Sequence, residues 1–111
     1  MATLYISEYT HQARDGQGFL MPAGREPSAV EQQVAIGGTS VQSNAFAAST
    51  RLIRVHCDVA CHISIGTNPT AATTTKRLAA NQTEFFGVQA PDATPGADAT
   101  VTHKIAVIEG V

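Results

Sequence analysis

The stretch RLIRVHCDVACHISIG, Arg51 to Gly66, carries two cysteines and two histidines within seven residues. Its odd positions read Ile53, Val55, Cys57, Val59, Cys61, Ile63 and Ile65, and its even positions read Arg54, His56, Asp58, Ala60, His62 and Ser64. An apolar residue at every second position marks a half-buried β-strand, because successive side chains point to opposite faces of a sheet. The pattern places both cysteines on a buried face and both histidines on a polar one. A single zinc ion is not readily reached from both sides of a sheet. Structural zinc sites also pair their ligands as C-x2–4-C with a second pair further along, and here that second pair would have to be the histidines that point away.

One strand over the whole stretch would be unusually long, and Asp58 is a turn-forming residue. The pattern predicts a hairpin turning at Asp58-Val59-Ala60, with Cys57 and Cys61 close together and His56 and His62 as cross-strand neighbours on the outer face. A continuous strand would instead hold the cysteines roughly 13 Å apart at about 3.3 Å per residue, beyond the reach of a disulfide. Packed thiols, a disulfide, and a metal or redox role are all open to the pair. The tendency of free cysteine to act as a small buried hydrophobe favours packed thiols.

Outward from this stretch, the composition bounds the fold. A chain of 111 residues forms one domain with a single core. Of its apolar residues 18 are Ala, and Val, Ile, Leu, Met and Phe together number only 26, so the core is thin. Thirteen Thr, nine Gly and no Trp accompany them. Small and β-branched residues around a thin core fit a two-layer sheet sandwich better than a helical bundle, which needs longer apolar stripes. Net charge is −2, with only seven Lys and Arg spread along the chain. That leaves no basic face for nucleic acid. No run of eighteen apolar residues is present to span a membrane. The first ten residues, MATLYISEYT, do not read as a secretory signal, so synthesis in a reducing cytoplasm is expected.

Thr3 to Tyr9 reads as a first strand with Leu4, Ile6 and Glu8 on one face and Tyr5, Ser7 and Tyr9 on the other. Residues 10–27 have no period, are rich in Gly and Pro, and hold one apolar clump, Phe19-Leu20-Met21. A segment of that length predicts an extended arm or long loop, and the clump makes Phe19, Leu20 and Met21 the candidate partner contact. Short strands follow at Gln33 to Ile36 and Ser40 to Ser43, with Gly37-Gly38 between them as a hairpin signal. Beyond Ile65 come a turn-rich Thr/Ala stretch, a strand at Thr83 to Val88, a Pro/Gly/Asp loop from Gln89 to Thr100, and a closing strand in which Val101, Ile105 and Val107 share a face with His103 between them. Seven or eight short strands separated by turn signals predict an all-β, single-domain antiparallel β-sandwich of jelly-roll kind.

Catalytic motifs are missing from the text. There is no G-x-S-x-G, and DGQGF (Asp15 to Phe19) lacks the Lys-Ser/Thr of a phosphate loop. Asp98 and His103 stand five apart without further support, and the Asn81-Gln82-Thr83 sequon carries no meaning for a chain made in the cytoplasm. The expectation is a non-enzyme with no catalytic residues, cofactor or metal. The competing enzymatic reading is a small cupin-like metal site built from His56, His62 and His103, which would require those residues to converge inside a barrel.

The order of strand texts from Arg51 to Val111 carries a resemblance. An IRVH strand, a CHISIG strand, an N-P-T loop, the run LAANQTEFFGV and a terminal KIAVI strand follow one another. In this order the chain resembles the small decoration, or cement, proteins of tailed bacteriophages. The first fifty residues carry none of the likeness. The resemblance implies a jelly-roll-like sandwich that self-associates and binds the major capsid protein on the outer surface of the virion, with no catalytic residues. Independently of the resemblance, a homo-oligomer is expected, the dimer being favoured, since thin-cored small domains gain stability by association. A tail, baseplate or head-tail joining component is the alternative virion role.

Overall fold

The computed structural model describes residues 2–88 and 103–110. Among them the chain forms ten strands and no helix: β1 (Thr3–Tyr9), β2 (Gln12–Arg14), β3 (Leu20–Gly24), β4 (Val30–Ala35), β5 (Val41–Gln42), β6 (Leu52–Cys57), β7 (Cys61–Gly66), β8 (Lys76–Leu78), β9 (Thr83–Gly87) and β10 (Lys104–Glu109). Eight of them build two four-stranded sheets, ordered β4-β1-β6-β9 and β5-β10-β7-β8, and β2 with β3 makes a separate ribbon. Every pairing is antiparallel. The protein is an all-β sandwich.

The path through the sheets is that of a roll. Followed from β4, the chain changes sheet between β4 and β5, β5 and β6, β6 and β7, β8 and β9, and β9 and β10, and stays in one sheet only from β7 to β8. Wrapping a long ribbon around the core in this way produces the eight-stranded jelly roll. Its remaining strand is β1, which precedes the other seven, so the roll is met in circularly permuted order and the β2-β3 ribbon joins β1 to β4. The amide of Ile36 donates to the Ala2 carbonyl (3.0 Å) and that of Glu109 to the Gly37 carbonyl (2.8 Å), so both ends of the described chain lie against one short segment.

This path corrects two expectations. Asp58–Ala60 does not close a hairpin, because β6 and β7 lie in different sheets, and the turn is a corner that carries the chain over the core. Asp58 holds that corner by accepting the Thr3 amide at 2.8 Å. Gly37-Gly38 likewise joins strands of different sheets. Alternation predicts that each strand buries one face, but a hairpin and a corner between sheets satisfy that demand equally well.

The core is the space between the sheets. Leu4, Ile6, Val34, Ile53, Val55 and Cys57 from one sheet meet Cys61, Ile63, Leu78, Ile105 and Val107 from the other, with Phe46 and Val88 closing the ends. The Lys76 ammonium sits 5.2 Å from the centre of the Phe86 ring, linking β8 to β9 where the two sheets meet.

Glu8 occupies a core-facing position and is 1% exposed. Its Oε1 accepts from the Ala47 amide (2.8 Å) and the Thr50 hydroxyl (2.7 Å), and its Oε2 accepts from Gln32 Nε2 (3.1 Å). A buried carboxylate is tolerated when its lone pairs are filled, and here it gives the irregular link between β5 and β6 the backbone partner that no strand supplies. Replacing Glu8 by Ala strands the Ala47 amide and the Thr50 hydroxyl inside the protein. Glu8→Ala is expected to destabilise the fold by about 3 kcal/mol, and Glu8→Gln, which retains an acceptor, by clearly less. Urea denaturation of the two variants measures both values.

Candidate functional site

Residues 10–27 form an ordered arm, because Asp15 supplies the turn. Its Oδ1 accepts from the amides of Gln17 (2.8 Å) and Phe19 (3.0 Å), the turn that a short acidic side chain makes with its own backbone. Gly18 takes φ +86, a conformation closed to most side chains, and its carbonyl accepts from the Arg14 guanidinium at 2.8 Å. The glycines of DGQGF therefore serve a turn. The arm lacks a legible period because its strands are three and five residues long and one contains Pro22.

The base of the ribbon is fastened to the sandwich. The Tyr9 ring lies against Gly24 so closely that a Cβ there would stand 2.4 Å from the ring carbons. The Tyr9 hydroxyl donates to Glu26 Oε2 at 2.8 Å, and burial, then Glu26, push the phenol pKa above 10. The protonated form is the one the fold favours, so this contribution is present at neutral pH and is lost as pH rises through the raised value. At the far end the candidate residues stand clear of the core: Phe19 is 67%, Leu20 58% and Met21 42% exposed. Leu20 and Met21 are consecutive in β3 and so point to opposite faces of the ribbon, leaving apolar surface exposed on both.

Beside the ribbon base, the outer face of the β4-β1-β6-β9 sheet is a second surface that sequence reasoning did not assemble. Strand register sets its side chains in rows. Gln33, Tyr5, His56 and Thr83 stand side by side in one row, and Glu31, Ser7, Arg54 and Phe85 in the next. Tyr5 and His56 are 6.2 Å apart between ring centres. The His56 Nδ1 shares a 2.7 Å hydrogen bond with the Thr83 hydroxyl. The Ser7 hydroxyl donates to the Glu31 carboxylate, which also accepts from the Ser28 hydroxyl at 2.9 Å. Tyr5, Ser7, Glu31, Arg54, His56 and Thr83 of these rows, together with Tyr9 and Glu26, line an open trough of about 590 Å³. Strand alternation alone placed Tyr5 and His56 on outward faces; only the register shows that they are neighbours.

The Cys/His cluster resolves differently. Cys57 and Cys61 are free thiols, fully buried, and face each other from opposite sheets across the corner. The Cys57 thiol donates to the Ala79 carbonyl at 3.1 Å. Burial, then the neighbouring Cys57, push the Cys61 thiol up to about 12. The histidines are not cross-strand neighbours, since the corner sends them to opposite outer faces of the sandwich. His56 is half-buried, whereas His62 is buried and donates its Nδ1 proton to the Thr75 carbonyl at 3.0 Å. His103 precedes β10, and its carbonyl accepts from the Phe46 amide at 2.9 Å. His56, His62 and His103 do not converge, and among the described residues no three His, Cys, Asp or Glu side chains gather as metal ligands. Val101, Asp98 and the loop containing Asp98 lie outside the described residues.

The chain matches no family model, no curated protein and no solved structure.

Two expectations follow from these geometries. At pH 8 iodoacetamide should leave Cys57 and Cys61 of the folded protein unmodified and label both after denaturation, because alkylation requires an accessible thiolate; mass spectrometry counts the added groups. Gly24→Ala should cost about 1–3 kcal/mol by forcing Tyr9 off the ribbon base, and should raise amide exchange in β2 and β3 more than in β6 and β7.

Proposed function

We propose that this chain is a structural virion protein that binds the outer surface of a tailed-phage capsid and stabilises the shell. The observation that carries this reading is the fastened ribbon with Phe19, Leu20 and Met21 exposed at its end. The likeness of Arg51 to Val111 to decoration proteins supplies the partner class. A protein that braces a shell needs a rigid body and a preformed contact, and both features support the reading. An apolar side chain of this size contributes about 1.5–3 kcal/mol when fully buried. Three such residues make a modest contact that gains strength when repeated over many copies on a lattice. The major capsid protein is the proposed partner, together with further copies of this chain as a homo-oligomer, a dimer first. Its location is the capsid exterior, after synthesis in the host cytoplasm.

Co-sedimentation with capsids lacking this protein tests the proposal. Saturable binding in a fixed ratio to the capsid protein is expected, weakened about tenfold or more when Phe19, Leu20 and Met21 are all changed to Ser with the melting temperature unchanged. Folded wild-type protein that fails to bind intact capsids overturns the decoration role. Association with isolated tails or baseplates under the same conditions would place it in the tail instead.

A further inference from the structure

We propose that the outer face of the β4-β1-β6-β9 sheet is a binding site for a neutral oligosaccharide. The capsid reading does not enter into this inference, which rests on the chemistry of the trough alone. A sugar ring presents a patch of C–H groups on its face and hydroxyls around its rim. Its recognition therefore calls for an exposed aromatic face with hydrogen-bonding groups of both kinds in the surrounding plane. Tyr5 lines the trough and is 40% accessible; Phe85, 37% accessible, lies outside the lining, in the adjacent row on the other side of β6. Around them the register sets a carboxylate acceptor at Glu31, a guanidinium donor at Arg54, an imidazole at His56 and a hydroxyl at Thr83. Aromatic rings offer apolar contact at little cost in side-chain freedom, which suits a ligand that is itself amphipathic.

Charge selects the class further. Glu31 and Glu26 line the same trough as Arg54, so a polyanion meets two carboxylates and a polycation meets a guanidinium. A neutral polyol uses donors and acceptors together and is opposed by neither. A protein partner would call for a more apolar centre than this mixed surface offers. The volume of about 590 Å³ falls within the range of small-molecule sites. All the lining residues except Glu26 stand on strands, and Glu26 is held by the Tyr9 hydroxyl at 2.8 Å, so the site exists before a ligand arrives.

Amide NMR titration of the full chain with neutral trisaccharides of glucose, galactose, mannose and N-acetylglucosamine tests the assignment. At least one of them is expected to give saturable shifts centred on Tyr5, His56, Thr83 and Phe85, with an affinity that falls about tenfold in Tyr5→Ala. Tyr5 is exposed, so its replacement is expected to leave the melting temperature unchanged, and Arg54→Ala serves as the second variant. Silence across the whole panel overturns the proposal. So does binding that survives both substitutions in folded protein, or a preference for a sulfated or a cationic oligomer over every neutral one.

Discussion

The corner at Asp58–Ala60 is the constraint on which the structure depends. Thirteen residues of alternating character, Ile53 to Ile65, must bury one side. Divided at the corner and laid in two sheets, they bury it against themselves: Ile53, Val55 and Cys57 face Cys61 and Ile63 across the core. A hairpin would have kept both halves in one sheet and left that apolar face needing cover from elsewhere. With so few large apolar residues in the chain, self-covering is the economical solution. The two cysteines sit where the sheets converge, and small side chains permit the close approach.

A thin core shifts part of the structural burden to buried polar groups. Glu8 stands among hydrophobic neighbours yet organises the link from β5 to β6 through the Ala47 amide and the Thr50 hydroxyl. His62 lies under the Thr75 carbonyl, tying the β7–β8 connection to the sheet. These two irregular segments are each fastened by a side chain projecting from a strand, because buried backbone groups outside sheets still require partners. The same economy applies at the ribbon, where one tyrosine supplies both a packing surface for Gly24 and a hydrogen bond to Glu26.

The two surfaces on this scaffold have opposite chemistry. The ribbon end exposes Phe19, Leu20 and Met21, whereas the trough is open and lined by charged, polar and aromatic side chains. Both draw on Tyr9, whose ring fastens the ribbon and whose hydroxyl holds the Glu26 wall. A change at Tyr9 would disturb both, whereas changes at Met21 or Tyr5 address one at a time.

By itself the sequence determined the fold class, the first strand from Thr3 to Tyr9, the inward cysteines and the exposed apolar clump at Phe19-Leu20-Met21. Those features follow from period-two alternation, turn residues and composition, which are local properties. Tertiary structure alone decided that β6 and β7 part company at Asp58–Ala60, that β1 completes the roll begun by β4, and that His56 and His62 lie on opposite faces. It also turned residues 10–27 into a ribbon, through an Asp15 turn and a tyrosine seated on a glycine fifteen residues further along the chain. The physical reason is that alternation says which face of a strand is buried but not against which partner. Register between distant strands is settled only when the faces close on one another, and that register is what set Tyr5, His56 and Thr83 in one row.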